Sequence, residues 1–172
     1  MPEAIVTRIL RLSGYRVCRH VFDEAAQTVT CWVRPVATRP YCCCPGCGIS
    51  TQATVGNPTE RRVRDLPWGS WQVLLVVEIQ TVACRRCGRH RDRVPFLAGK
   101  AHGTARFEAA VARDGRDAPF RRVAARWGLA AETVRLLDKR TLQCWAAGRP
   151  RVPLRQLGVD EIFLGKTTKF LT

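Results

Sequence analysis

Residues 44–48 read Cys44-Pro45-Gly46-Cys47-Gly48, and residues 84–88 repeat the spacing as Cys84-Arg85-Arg86-Cys87-Gly88. Two thiolates separated by two residues bind one zinc ion from a tight turn, and the glycine that follows tolerates the bend of the backbone. Two such turns, called knuckles here, supply the four sulfur ligands of a closed tetrahedral site. The pattern therefore predicts a zinc ribbon with a structural zinc ion, and it predicts four ligands: Cys44, Cys47, Cys84 and Cys87.

Other assignments of the cysteines stay open at this point. Cys42 and Cys43 precede the first knuckle, and we prefer Cys44 because it completes the knuckle form. His90 and His102 are alternative ligands, although four thiolates suffice. Ordinary buried cysteines or a redox dithiol are less consistent with paired spacing and with the lack of a thioredoxin-like βαβ pattern. Three further cysteines lie in apolar-patterned segments, which predicts core positions: Cys18, Cys31 and Cys144.

The segments around the knuckles have the composition of β-strands. Residues 15–22 and 28–33 alternate polar and apolar side chains and predict a hairpin with its turn at residues 23–27. Residues 61–66 predict a short strand. Residues 71–83 are rich in valine and predict one long strand that runs directly into the second knuckle.

From about Thr104 the pattern changes to helix. Thr104 or Gly103 is the expected N-cap of a first helix, and residues 115–119 are expected to interrupt it. Residues 120–127 and 131–147 predict two further helices. Gly128 lies between them, where a helix-turn-helix commonly needs a positive φ.

In a helix-turn-helix the second helix lies in the major groove of DNA. The first helix would then hold the DNA backbone, while the second would reach bases and phosphates. The alternative is a plain helical hairpin with a solvated basic face. The predicted DNA-binding residues are Arg121, Arg122, Arg126, Thr133, Arg135 and Lys139.

The charge of the chain supports a polyanionic partner. The 172 residues carry a formal net charge of +15. Repulsion among so many like charges destabilises a folded domain, and binding to nucleic acid relieves that repulsion. No apolar run is long enough to span a membrane, and residues 1–14 lack the apolar region of a signal peptide. We therefore expect a cytoplasmic protein that binds double-stranded DNA and no membrane.

The order of these parts resembles the insertion-sequence transposases of the ISL-three type. The resemblance rests on the hairpin, the knuckles, the stretch Arg61-Arg62-Val63-Arg64-Asp65-Leu66-Pro67, the helix-turn-helix and the segment Gly158-Val159-Asp160-Glu161. It covers nearly the whole chain. Lys169-Phe170-Leu171-Thr172 resembles the next strand of that family, although the Lys-Gly-His that often precedes that strand is absent.

The resemblance implies an RNase H-like catalytic domain with three acidic residues that bind two divalent metal ions, usually magnesium. Asp160 would be the first acid, although strand alternation alone would place it on a solvent face. The later acids would lie beyond Thr172, so we expect a truncated chain that binds DNA and is inactive alone. Magnesium would be needed only with a complete catalytic domain. Such transposases commonly act as dimers, so a homodimer is expected.

The sequence therefore predicts an α+β fold made of small modules. A stand-alone DNA-binding regulator derived from a transposase is one alternative function, and a zinc-ribbon protein that binds RNA or an acidic protein is another. The expected modules are an N-terminal β-hairpin (1–40), a zinc ribbon (41–100), the helix-turn-helix (101–147), a linker (148–155) and the start of the RNase H-like domain (156–172).

Overall fold

The computed structural model describes residues 2–36, 42–51, 56–98 and 102–149. The chain divides after Thr141 into two units. Of the second unit, the described ranges include only residues 142–149. The expectations for the tail, including the role of Asp160, fall on residues outside these ranges and stay predictions.

A short helix, α1 (Glu3–Leu10), precedes the first strand. Glu3 lies in its first turn, where a negative charge complements the helix dipole. Val6 and Leu10 lie one turn apart and are fully buried, and the helix packs on β1 (Tyr15–Asp23). This helix was not predicted from the sequence, although the spacing of Val6 and Leu10 is the helical one.

The predicted N-terminal hairpin is confirmed. β1 pairs antiparallel with β2 (Thr28–Pro35), with a bulge between Val17 and Arg19. Gln27 adopts a positive φ of 49° in the turn between the strands. β2 ends at Pro35, which lacks the N–H that would continue the ladder. Further along the chain, β3 (Cys42–Cys43) and β4 (Ser50–Thr51) form a two-stranded antiparallel sheet around the first knuckle.

A second hairpin joins the first in one sheet. β5 (Thr59–Trp68) pairs antiparallel with β6 (Trp71–Ile79), and Gly69 opens the two-residue turn between them with a φ of 60°. Pro67 lies where the register of β5 shifts. An edge strand tolerates a proline there because the missing N–H has no partner strand to serve.

The strands of this sheet lie in the order β1-β2-β6-β5, and β2 and β6 run parallel. Buried aliphatic side chains from β2, β5 and β6 form the core together with the buried face of α1. The sheet therefore crosses the module boundary predicted at residue 40, because β2 lies before that residue and pairs with β6 after it.

The predicted strand over residues 71–83 is interrupted. β6 ends at Ile79, and β7 (Thr81–Cys84) belongs to a separate two-stranded sheet with β8 (Gly88–Arg91). Between them, the carbonyl of Gln80 accepts a hydrogen bond of 2.8 Å from the N–H of Asp92. Nearly every residue in this run favours β structure, so composition could not reveal where the chain changes sheets.

Three helices follow: α2 (Ala105–Asp117), α3 (Phe120–Trp127) and α4 (Ala131–Ala147). Thr104 is the N-cap of α2, as predicted, and its hydroxyl accepts a 3.3 Å hydrogen bond from the N–H of Phe107. The predicted interruption over residues 115–119 is confirmed only for Ala118 and Pro119, since α2 continues through Gly115 to Asp117.

The three helices enclose a second core. The buried members are Phe107, Val111, Val123, Ala124, Val134 and Leu137. Together with the sheet, these helices agree with the predicted α+β class. No helix within the described ranges has the length and apolar character needed to cross a bilayer.

Candidate functional site

The parallel pairing of β2 with β6 explains why the two knuckles meet. Parallel strands exit a sheet at the same end. The chain that leaves β2 continues to the first knuckle, and the chain that leaves β6 continues through β7 to the second. β4 then lies against β7, so the two small sheets that carry the knuckles are adjacent.

The four predicted ligands converge. The Sγ atoms of Cys44, Cys47, Cys84 and Cys87 all lie within 4.8 Å of one another, and the Cys47 and Cys84 sulfurs are 3.5 Å apart. All four are free thiols. A tetrahedral zinc ion with Zn–S bonds of about 2.3 Å holds its sulfurs about 3.8 Å apart. The donor set and its spacing therefore fit a structural zinc ion.

The backbone of each knuckle has the bend that its glycine was expected to allow. Gly48 and Gly88 adopt φ values of 72° and 83°, a region that side chains with a Cβ rarely occupy. In the first knuckle the N–H of Gly48 donates to the carbonyl of Cys44 over 2.8 Å. The N–H of Cys44 in turn donates to the carbonyl of Ile49 over 3.0 Å, which closes the turn.

The thiols of the second knuckle differ in acidity. Backbone N–H groups of Arg86 and Cys87 are the main reason that the pKa of Cys84 is lowered to about 6. The adjacent Cys47 thiol, together with burial, raises the pKa of Cys87 to about 12. A second negative charge beside the first is unfavourable without a cation. A divalent metal ion would supply the positive charge that allows all four thiols to ionise.

The alternative ligands have different positions. His90 lies outside the cluster of candidate ligands, and its Nε2 is 2.8 Å from the carbonyl of Cys87. His102 is also outside that cluster. The side chains of Cys42 and Cys43 are not among those that the structure describes.

The prediction that three other cysteines lie in the core is only partly right. Cys31 is buried, and burial raises the pKa of its thiol to about 12. Cys18 and Cys144 are exposed, so the prediction is wrong for them. Cys18 falls on the outward positions of the alternation in β1, and Cys144 lies on α4 beyond the last residue of the helical core.

The turn between α3 and α4 has the predicted geometry. Gly128 ends α3 with a φ of 57°, and its N–H donates back to the carbonyls of Ala124 and Ala125. Leu129, the next residue, packs against the helical core. Val123 and Ala124 on α3 face Val134 and Leu137 on α4 in that core. The segment therefore has the local form of a helix-turn-helix.

Asp114 fixes the last turn of α3 from α2. Its Oδ2 accepts a hydrogen bond of 2.9 Å from Nε1 of Trp127 and one of 3.1 Å from the guanidinium of Arg126. The Trp127 bond is the main reason that the pKa of Asp114 is lowered, with Arg126 adding to it. Trp127 also contacts the edge of the Phe107 ring, with centroids 5.3 Å apart.

The six predicted DNA-binding residues differ in their surroundings. Thr133 is half-buried, and the five basic residues are exposed. Arg126 is paired with Asp114, and Arg135 makes two hydrogen bonds of 2.8 and 2.6 Å to Glu132 on its own helix. This pairing raises the pKa of Arg135 and lowers that of Glu132. In the described part of the chain, the remaining three form no ion pair: Arg121, Arg122 and Lys139.

Arg64 on β5 connects the sheet to the helix-turn-helix. Its Nη1 donates to the carbonyl of Trp127 over 2.6 Å and to that of Gly128 over 3.1 Å. These carbonyls end α3, where a cation complements the negative end of the helix dipole. The guanidinium also lies 5.1 Å from the centre of the Phe107 ring. Burial lowers the pKa of this guanidinium.

Asp65, the next residue, connects the sheet to the start of α2. It is 1% exposed. Its Oδ1 accepts hydrogen bonds of 2.7 Å from the hydroxyl of Thr104 and from Nε of Arg106, and its Oδ2 pairs with Nη2 of Arg106. Backbone hydrogen bonds join Arg64 to His102 and Thr104 beside these contacts. We call Arg64 and Asp65 with these partners the clasp.

No structural role for Arg64 and Asp65 was predicted from the sequence. One signal was available in the alternation of β5. Val63 is buried and points inward, so the inward position two residues later falls on Asp65. A carboxylate at a core position needs a partner, which predicts a buried polar contact. No local pattern indicates that the partner comes from α2.

The chain is 29% identical over 161 residues to the transposase for insertion sequence element IS1001 of Bordetella parapertussis. The match covers 92% of this chain and 39% of that transposase, so the chain spans about two fifths of the length of its relative. No protein-family model matches the chain, and no solved structure matches it.

Proposed function

We propose that this chain binds double-stranded DNA as the end-recognition region of an insertion-sequence transposase. The observation that carries the proposal is the geometry around Gly128. Two helices meet there at a left-handed turn, share a buried core and leave basic side chains on the exposed face of the second helix. A helix-turn-helix presents its second helix to the major groove in this way.

In this proposal α4 contacts the bases and phosphates of the DNA, and α3 contacts its phosphate backbone. Arg135 and Lys139 reach base edges or phosphates, and Thr133 bonds a phosphate near the N-terminus of α4. Arg121, Arg122 and Arg126 lie on α3 and neutralise the backbone. The net charge of +15 supports this assignment, because a surplus of that size favours a polyanionic partner.

A structural zinc ion is the second part of the proposal. The four thiolates of Cys44, Cys47, Cys84 and Cys87 would hold it, and their spacing supports that assignment. A closed site of this kind leaves no open position for a substrate, so its role would be to stabilise the two small sheets.

The similarity to the IS1001 transposase supports a role in DNA transposition for the protein to which this region belongs. Assignment to the ISL-three type, with Asp160 as the first catalytic acid and magnesium as the metal of a complete catalytic domain, also belongs to this proposal. A stand-alone regulator would bind duplex DNA as well. Selection of bound sequences from a random duplex library separates the two functions, because end recognition requires enrichment of insertion-sequence ends.

Binding to a labelled duplex, measured by fluorescence anisotropy over a salt series, tests the proposal. Arg135→Ala should weaken binding by about 1–3 kcal/mol if Arg135 contacts a base. Glu132→Gln is the matched control, because it breaks the same ion pair and leaves Arg135 in place. It should bind at least as tightly, since it also removes a negative charge that faces the phosphates.

Equal loss of affinity in both variants would mean that the ion pair acts only on the structure of α4. Binding of single-stranded RNA or polyglutamate in preference to the duplex would favour the alternative function, a zinc-ribbon protein that binds RNA or an acidic protein. The proposal requires binding that prefers duplex DNA and falls steeply as salt rises from about 50 to about 200 mM.

A further inference from the structure

We propose that the second zinc knuckle is a separate DNA-contact surface that binds the phosphodiester backbone. Its five arginines, called the arginine knuckle here, are Arg85, Arg86, Arg89, Arg91 and Arg93. This inference rests on the proposed function in DNA binding. It adds a surface that is distinct from the helix-turn-helix and that the sequence patterns alone did not indicate.

The local fold directs these side chains outward. Arg85 and Arg86 form the tip of the turn between β7 and β8. Arg89 and Arg91 lie two residues apart on β8 and therefore share one face of the strand, opposite to that of His90. All five arginines are exposed, whereas Cys84 beneath them is buried. The turn and the residues after it thus present a cluster of exposed guanidinium groups beside the buried Cys84.

The charge of this surface is not compensated by neighbouring acids. In the part of the chain that the structure describes, none of the five arginines forms an ion pair. Asp92 is the one acid between residues 84 and 93, and it is 5% exposed. The exposed charged side chains of residues 84–93 are therefore all basic, which suits binding to a DNA backbone.

A cavity of about 320 Å³ lies beside this surface. Arg91 and Arg93 line it together with Arg61 from β5, and Pro45 of the first knuckle and the acid Asp92 also belong to the lining. A phosphate oxygen accepts paired hydrogen bonds from the fork of an arginine side chain. The cavity therefore offers one position where a backbone phosphate can meet more than one guanidinium.

The metal site offers a competing explanation for the arginines. A zinc ion with four thiolates carries a formal charge of about −2, which nearby cations would stabilise. Five exposed guanidinium groups exceed this charge, and those of Arg91 and Arg93 follow the last ligand by several residues. Counter-charge alone therefore does not account for the cluster. The experiment measures zinc binding beside DNA binding to separate the two roles.

The test compares two triple variants that remove the same charge. The first is Arg85→Gln, Arg86→Gln and Arg89→Gln in the arginine knuckle. The matched control is Arg8→Gln, Arg11→Gln and Arg16→Gln, which removes three exposed arginines at the N-terminus of the chain. Each zinc-loaded protein is titrated with a labelled duplex of random sequence over a salt series, and bound zinc is quantified by release to a colorimetric chelator.

The knuckle variant should bind duplex DNA at least about tenfold more weakly than the parent. The slope of log K against log salt should fall by about 0.9 for each phosphate that the variant no longer neutralises. The weakening should be the same for every duplex sequence, because phosphate contacts do not discriminate between bases. The control variant should stay close to the parent, and both variants should retain their zinc.

Unchanged affinity and slope in a zinc-loaded knuckle variant would overturn the inference, and so would an equal loss of affinity in the control. Loss of zinc in the knuckle variant, with DNA affinity that falls only in proportion to the zinc lost, would assign the arginines to the metal site and overturn the inference. Parent protein that does not bind duplex DNA would refute the proposed function itself. If Arg135→Ala weakens DNA binding and the knuckle variant binds DNA as tightly as the parent, the inference alone is refuted.

Discussion

Asp65 is a carboxylate that is shielded from solvent, and its stability depends on partners from the start of α2. The Thr104 hydroxyl and the Arg106 guanidinium satisfy both of its oxygens. Hydrogen bonds to a charged group contribute more than neutral ones. The residue therefore joins the sheet to α2 through a charge that water cannot compensate.

Asp65→Asn should lower the free energy of unfolding by about 2 kcal/mol, because the amide keeps the shape but not the charge that Arg106 pairs with. Urea unfolding followed by tryptophan fluorescence measures the decrease. Glu24→Gln is the control, since Glu24 is an exposed acid in a turn and should change stability by less than about 0.5 kcal/mol. Equal free energies of unfolding in the two variants would show that the charge in the clasp does not stabilise the protein.

Asp114 makes the helix-turn-helix sensitive to acid. Its pKa is lowered in the folded protein, chiefly by the Trp127 hydrogen bond. A carboxylate whose folded pKa lies below its unfolded value adds stability above the unfolded pKa and loses it as pH falls through the folded pKa. Thermal unfolding at pH values from about 6 down to about 3 should therefore show a smaller fall in Tm for Asp114→Asn than for the parent. Parallel curves would contradict this role.

At the scale of elements, the joint between α3 and α4 depends on the left-handed turn at Gly128. Gly128→Ala should cost about 1 kcal/mol or more, because an L side chain is strained at a φ of 57°. Gly115→Ala is the control in the interior of α2. Its Cβ would lie 3.5 Å from the Phe120 ring, an ordinary contact, so it should stabilise by about 0.5–1 kcal/mol. Thermal unfolding of both variants checks the difference in sign.

The elements that the sequence predicted are those with strong local signals. The hairpin over β1 and β2 and the helices α3 and α4 follow from alternation, helical spacing and a glycine at the turn. The break at Gln80 and the parallel pairing of β2 with β6 depend on contacts between distant residues, which no local pattern encodes. For the same reason, the sequence shows that Asp65 is an acid at an inward position of β5 but does not show which residues pair with it.

The candidate metal site was predictable for a different reason. A knuckle is a local structure, so spacing and the following glycine suffice to predict a cluster of Cys44, Cys47, Cys84 and Cys87. Their convergence needed the fold, because it depends on the shared exit end of β2 and β6. The arginine knuckle was present in the sequence, but its exposure and its lack of ion pairs are properties of the folded hairpin.

At the scale of the whole molecule, metal removal should loosen the two small sheets and spare the larger one. The strands β3 and β4 have two residues each and cannot persist alone. The four-stranded sheet has its own core against α1, and the helices have theirs. Chelation should therefore abolish hydrogen-exchange protection in residues 81–91 while the protection of β6 and the helical circular dichroism remain.

Cys84→Ser supplies the matched variant, because it removes one ligand and keeps the size of the side chain. Its exchange pattern with zinc present should resemble that of the chelated parent. Cys18→Ser is the control, since Cys18 is exposed and lies outside the cluster. Unfolding of the whole chain on chelation would mean that the larger sheet also depends on the metal.

The parallel pair at the centre of the sheet also affects how fast the chain folds. β2 and β6 are far apart in sequence, so bringing them together closes a long loop at an entropic cost. A metal ion that joins the two knuckles early would tie the segment after β2 to the segment after β6 and shorten the path between the strands. Refolding from denaturant should then be faster with zinc than without it, while the metal-free chain would search longer for the same register.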